Sequence, residues 1–200
     1  MAQTGLRARK RAKTRDQIAQ TAIKFFFERG YEETTLEDIA EAAEVHKRTL
    51  LRYFPTKAHL ILHTQYAAVE NFRETIAARK DESVIDIWQE QVSFYSRDMM
   101  RRGRQANVRI FASIEPAVEP AFLAIQAQYQ TMISNALSAE LGRDPASDVE
   151  SKIIAAALVG ANYSVAAMIF ENEAYDDLEN SLLKVIQTVR EGLLCRITKP

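Results

Sequence analysis

A single cysteine, Cys195, leaves this 200-residue chain with no partner for an intrachain disulfide and no thiolate set for a zinc site. Glycine and proline are scarce, at six and five. No β-branched run alternates at period two, so strands have no obvious home. The chain also lacks a glycine-rich phosphate loop and a Cys–His pair in sequence context, and its three histidines all fall between residues 46 and 63. No catalytic residue, no cofactor and no enzyme are therefore expected. His59 and His63 stand at i,i+4, a chelating spacing, but no third ligand accompanies them and Leu60-Ile61-Leu62 lacks a zincin glutamate. They are read as a helix-face pair, with no metal. Net charge is nearly absent too, with 26 Lys+Arg against 27 Asp+Glu. A composition of 47% hydrophobic and 26% charged residues excludes a disordered tail, a collagen-like fibre and a disulfide-stapled mini-protein.

The basic stretch Met1 to Arg15 has no apolar run behind it and does not read as a secretory signal. Ile153 to Phe170 holds 18 residues without a formal charge, enough to span a bilayer. Asn162, Tyr163 and Ser164 interrupt it, and Gly160 and its alanines dilute it, so the preferred reading is a buried helix of a bundle. A cytoplasmic protein without a membrane partner is expected.

Helical periodicity is widespread, punctuated near Gly30, Val45, Pro55, Lys80-Asp81, Gly103, Pro116 to Pro120, Gly142 to Pro145 and Glu171 to Tyr175. About nine helices follow, short up to Pro55 and longer beyond it. The fold class is all-α: a three-helix N-terminal head and a larger C-terminal helical bundle. The expected divisions are a basic arm over residues 1–13, a head over 14–56 and a body over 57–200. Charge divides at nearly the same place. Residues 1–60 carry 12 Lys+Arg against 8 Asp+Glu, and residues 61–200 carry 14 against 19. The formal net of −1 is a cancellation between a basic head and an acidic body.

Within the head, a helix from Thr14 to Glu28 buries Ile18, Ala22, Phe25 and Phe26 and ends at Gly30. A second begins at Thr34, where Thr34-x-x-Glu37 fits a capping box. A short turn at Glu44-Val45-His46 leads into a third helix from His46 to Phe54. Two short helices joined by such a turn form a helix-turn-helix. At 100° per residue, Leu50, Leu51 and Phe54 face the core, which leaves Arg48, Thr49, Arg52 and Tyr53 outward. Arginine forks onto guanine N7 and O6, threonine meets a thymine methyl, and tyrosine reaches phosphate. Lys47 and Lys57 flank this face as phosphate clamps. The arm from Arg7 to Arg15 either enters a minor groove or is a solvated tail.

The stretches Arg15-x-x-Ile18, Phe26-x-x-x-Gly30-Tyr31, Thr34-Thr35-x-x-x-Ile39-Ala40-x-x-Ala43-x-Val45 and Thr49-Leu50-x-x-Tyr53-Phe54-Pro55-x-Lys57 together resemble the TetR family of bacterial transcriptional regulators. The resemblance covers about a quarter of the chain. It implies an all-helical homodimer on double-stranded operator DNA, with a variable C-terminal domain whose small-molecule effector weakens operator binding. By motif match Thr34, Lys47, Thr49, Tyr53 and Lys57 stand where the family usually touches DNA, mainly at phosphates; Thr35, His46, Arg48 and Arg52 complete the candidate set. Three positions depart from the pattern. Glu44 replaces the turn glycine, His46 the serine that opens the recognition helix, and Leu51 a frequent tyrosine.

In the body, a linking helix from Thr56 to Lys80 is expected. Two stripes are candidates for a two-fold dimer interface: the small residues Ile153, Ala157, Gly160 and Ser164, and the apolar Leu182, Ile186, Val189 and Leu193. Packing within one subunit is the other possibility. Trp88, Tyr95, Met99, Phe111, Phe122 and Tyr129 are candidates to line an effector pocket, with Gln126, Tyr129, Asn162 and Tyr163 as polar anchors. The basic cluster Arg97 to Arg104 is either a solvated helix end or a site for an anionic ligand. The expected function is a ligand-responsive repressor on a palindromic operator, released by a hydrophobic or amphipathic effector. A DNA-binding regulator or activator without an effector is the alternative.

Overall fold

The structure, a computed structural model, describes residues 2–101 and 116–195, apart from the side chains of residues 2–8 and 194. Phe111 and the second half of the Arg97 to Arg104 cluster lie outside the described residues. The elements are α1 (Ala2–Arg29), α2 (Leu36–Ala42), α3 (Lys47–Tyr53), α4 (Lys57–Ile61), α5 (His63–Ala78), α6 (Val84–Arg101), α7 (Glu119–Glu140), α8 (Val149–Glu171) and α9 (Leu178–Val189). A 3₁₀ turn precedes α9 and a π-type turn follows it. Among the described residues there is no strand.

These residues divide into two compact units, one of 2–66 with 116–121 and one of 67–101 with 122–195. The division falls after Tyr66, inside α5, and not at the expected Thr56. Two helix boundaries also differ from the sequence reading. The arm is no separate segment, because α1 begins at Ala2 and runs unbroken through Thr14. The expected linking helix is interrupted at Leu62 (φ −94°, ψ 16°), which separates α4 from α5.

In the first unit, α1 contributes Ile18, Ala19 and Ala22, all buried, and packs on α2 and α4. Gly30, at φ +101°, ends α1 in a geometry that disfavours a side chain. Ile39, Leu50, Phe54 and Leu60 complete this core.

In the second unit, Phe72, Ile85, Ile125, Ile133, Ile154 and Leu158 are fully buried, and α9 packs on α8 and α6. The helix ends are tied by side chains. Glu140 of α7 accepts from the backbone N–H of Val84 at 2.8 Å and pairs with Arg79 of α5. Asp148 caps α8, accepting from the Ser151 N–H at 3.2 Å and the Ser138 hydroxyl at 3.0 Å. α8 is long and apolar enough to cross a membrane. Its Ile154, Ala155, Leu158, Val159, Asn162, Ala166 and Ile169 are buried inside this unit, while Val149, Ile153 and Met168 are exposed.

Candidate nucleic-acid interface

The turn chemistry of the head positions the recognition face. α2 starts one residue later than the Thr34 capping box implies. Thr35, at φ −95° and ψ 157°, is the N-cap; its hydroxyl accepts from the Asp38 N–H at 3.1 Å, while Asp38 accepts in return from the Thr35 N–H at 3.1 Å. The Thr35 hydroxyl, donating to Asp38 Oδ2 at 2.6 Å, and then the Thr35 N–H hold the Asp38 carboxyl below its usual range. Thr34 is fully buried and its hydroxyl donates to the Gly30 carbonyl at 2.8 Å. The sharp turn at Gly30 sends Thr34 inward, so its side chain closes the α1–α2 corner and is not presented to DNA.

α2 ends in a Schellman arrangement. The Val45 N–H donates to Ala40 O at 2.9 Å and the Glu44 N–H to Glu41 O at 3.0 Å, with Glu44 at φ +53° between them. This is the conformation a glycine adopts without strain, and a residue with a Cβ pays about 1–2 kcal/mol for it. His46 then serves as N-cap of α3 at φ −68° and ψ 142°, with no side-chain cap bond.

On α3, Leu50 and Phe54 are buried as expected. Leu51 is not: it is 37% exposed. A seven-residue helix packed along one narrow face has no neighbour to cover a side chain 100° from Leu50. His46, Lys47, Arg48 and Arg52 are exposed, and Thr49 and Tyr53 are half-buried. Thr49, Arg52 and Tyr53 border an open groove whose other walls include Thr14, Glu41, Glu44 and His46. The Arg52 guanidinium stands 5.5 Å from the Tyr53 ring centroid. Arg15 lies 5.7 Å from the Phe54 ring and Gln17 donates to Ala43 O at 3.2 Å, so α1 holds both helices of the motif.

The two expected clamps differ. Lys47 pairs with Glu37 across the motif, and that bond lowers the Glu37 pKa. Both side chains are about half exposed (49% and 62%), so a phosphate can exchange for the carboxylate. Lys57 points elsewhere. Its ammonium donates to the carbonyls of Tyr31 at 2.6 Å, Thr34 at 3.3 Å and Glu32 at 3.4 Å. It is a tie within the head, not a phosphate clamp, because the carbonyls after α1 lie within its reach. His59 and His63 are engaged through Nδ1, with Thr56 Oγ1 at 2.8 Å and Leu60 O at 3.0 Å respectively.

The candidate effector residues of the body form two sets. Trp88, Phe122, Tyr129 and Asn162 are buried; Tyr95, Met99, Gln126 and Tyr163 are half-buried. Phe72, Trp88 and Tyr129 make a three-ring cluster with centroids 5.0–5.6 Å apart, and Phe122 meets Tyr163 edge-on at 4.9 Å. Asn162 is a structural bridge: it accepts from Trp88 Nε1 at 3.0 Å and donates to Leu182 O at 2.9 Å. Gln91, which the sequence reading missed, donates to the Tyr129 hydroxyl at 2.8 Å and to Ala68 O at 3.3 Å. Its signal was its position one turn beyond Trp88 on the buried face of α6. Burial raises the pKa of Tyr129 and of Tyr163, which keeps both phenols neutral.

The two interface stripes also separate. Ile153 and Ser164 are exposed and Ala157 and Gly160 half-exposed, an open stripe on α8. Leu182, Ile186 and Val189 are instead buried within the chain, because α9 turns its apolar face onto α8 and α6. They are corrected to core residues; Leu193 is half-buried.

An exposed cationic helix preceded by a capped helix and a tight turn defines a helix-turn-helix DNA-binding head. Residues 18–64 match the family profile described as bacterial regulatory proteins, tetR family. Over 75 residues the chain is 45% identical to the HTH-type transcriptional regulator TcmR of Streptomyces glaucescens, covering 38% of this chain and 33% of that one. The match thus spans about a third of the curated relative's length. Among solved structures, Thermus thermophilus FadR in complex with lauroyl-CoA aligns at TM-score 0.60 and 22% identity, covering 90% of this chain and 94% of that one. The SmeT–triclosan complex aligns at TM-score 0.67 and 16% identity, covering 94% and 95%. These structures share the fold. The likeness to the tetR family is thus carried by the head, over residues 18–64.

Proposed function

We propose that the protein is a ligand-responsive repressor, acting in the cytoplasm, that binds a palindromic operator as a homodimer and is released by a small hydrophobic or amphipathic effector. The observation that carries the DNA reading is the α3 surface: Lys47, Arg48 and Arg52 exposed beside half-buried Thr49 and Tyr53, on a helix whose inner face is closed by Leu50 and Phe54. Arg48 and Arg52 are assigned to base edges, and His46, Lys47 and Thr35 to phosphates. The DNA-binding role is assigned to the first unit and the effector and dimer roles to the second, so residues 57–66 go with the head.

Dimerisation is supported by the open α8 stripe, flanked by Val149 and Met168 at 63% and 53% exposure. A Cβ built on Gly160 meets nothing within 4 Å in the single chain, so the bare backbone there answers no need of the subunit itself. A two-fold pair would set the two recognition helices about one DNA turn (~34 Å) apart. The effector reading is supported by the aromatic body and by the two structures of the same fold that hold lauroyl-CoA and triclosan. Ligand and operator then each lower affinity for the other by one factor. Asn162, already bonded at both ends, favours the second reading, a regulator without an effector.

The test is selection of bound DNA from a random pool by the full chain, repeated with lauroyl-CoA and with triclosan. An enriched palindrome that either compound weakens supports the repressor; no enriched palindrome overturns it; a palindrome indifferent to both favours the second reading. Light scattering should give twice 22.7 kDa, and Gly160→Leu should reduce that mass to one subunit while leaving the helical signal unchanged.

A further inference from the structure

The amino-terminal turns of α1 form a charged element that the helix-turn-helix alone does not account for. α1 runs without a break from Ala2 to Arg29, and no acidic residue occurs in it before Asp16. Arg9, Lys10, Arg11 and Lys13 are all exposed. Among the described residues none of these four makes an ion pair.

Their direction follows from the helical register. Gln17 and Ile18 face the rest of the head, Gln17 through its bond to Ala43 O and Ile18 by full burial. One turn earlier on that face is Thr14, half-buried at the rim of the groove that Thr49, Arg52 and Tyr53 share. Residues three and four positions before Thr14 on the same face are Arg11 and Lys10. At 1.5 Å per residue they stand about 5–6 Å further along the axis than Thr14. The face that packs on the motif therefore becomes cationic where it passes the edge of the recognition groove.

We propose that residues 2–13 are a helical spur that lays Lys10 and Arg11 on the phosphate backbone of duplex DNA beside each half-site. This deepens, and rests on, the DNA-binding reading above. It replaces both fates open to the arm from sequence, minor-groove entry and a solvated tail. An α-helix with its side chains is about 10–12 Å wide and a B-DNA minor groove about 6 Å, so the spur tracks phosphates and does not read bases from the minor groove. Its contribution is affinity without sequence preference.

The experiment compares the full chain with the double variant Lys10→Gln/Arg11→Gln on the selected operator, by binding titration across salt concentrations and by repeating the random-pool selection. The variant should lower the slope of log affinity against log salt by about two per subunit. It should enrich the same palindrome and the same flanking bases. An unchanged slope overturns the spur, as does loss of an A/T preference in the flanks, which would mean minor-groove reading. Arg9→Gln, off the groove-facing side, should change the slope by less than half as much as Lys10→Gln or Arg11→Gln alone; an equal change overturns the assignment of the face. If the full chain enriches no DNA, it is the repressor reading that has failed, whereas specific binding with an unaltered slope removes the spur alone.

Discussion

Lys57 of α4 donates to the carbonyl of Tyr31 at 2.6 Å while its ammonium lies 4.2 Å from the centroid of the same residue's ring. One side chain thereby holds the segment between α1 and α2 from two sides. The pair explains why a lysine in the motif need not touch DNA. Its charge is spent on backbone carbonyls that would otherwise face the solvent at the end of α1.

Lys57→Met should therefore lower stability by about 1–2 kcal/mol, measured by urea unfolding. Its operator affinity should keep the salt slope of the parent. Lys47→Gln should do the opposite, leaving stability within about 0.5 kcal/mol and lowering the slope by about 0.9 per subunit. A Lys57 variant with a reduced slope would return that residue to the phosphate clamps.

Glu44→Gly removes a side chain from a position at φ +53°. Relief of about 1–2 kcal/mol is partly offset by the greater freedom of glycine in the unfolded chain, about 0.5–1 kcal/mol. The melting temperature should stay level or rise by about 2–4 °C. A clear fall would show that the Glu44 side chain contributes more than its strain costs.

Asn162→Ala leaves Trp88 Nε1 without its partner inside the core of the second unit and Leu182 O with its helical bond alone. Loss of about 1–3 kcal/mol is expected. Trp88, the only tryptophan of the chain, should report it as a shifted fluorescence maximum in the folded state. An unchanged spectrum with parental stability would mean that the bridge does not form in solution.

Asp148 has its pKa lowered from 3.8 to about 2, chiefly by the Ser151 hydroxyl and then by the Ser151 N–H, the Ser138 hydroxyl and Arg143. A carboxyl whose folded pKa is depressed contributes stability that is present above its unfolded pKa and lost as pH falls toward the folded one. Stability should therefore decline between about pH 4 and pH 2, and Asp148→Asn should flatten that limb in a pH series of urea melts. An identical limb in the variant would assign the acid sensitivity to other carboxyls.

Much of the head was legible because its signals are local. Gly30 ends a helix, Thr34-Thr35 opens one, and Glu44 sits where a left-handed residue is needed; each rests on interactions within about four residues. The capping box slid from Thr34 to Thr35 because which hydroxyl turns inward depends on the Gly30 corner. Leu51 was placed in the core by its angle alone, yet a helix this short has too few neighbours to cover it. In the body, the stripe on α9 was visible in the sequence, but periodicity does not name the surface that covers a stripe. The structure turned Leu182, Ile186 and Val189 onto their own subunit and left the α8 stripe open.

The sequence by itself determined an all-helical chain, a helix-turn-helix with a cationic outer face, and a basic head joined to an acidic body. These follow from helical period, capping chemistry and the position of charge, all short-range along the chain. Only the tertiary structure decided where particular side chains are spent: Lys57 on three carbonyls, and Asn162 between Trp88 and Leu182. A donor satisfies whichever acceptor lies within about 3 Å, and folding alone chooses which acceptor that is.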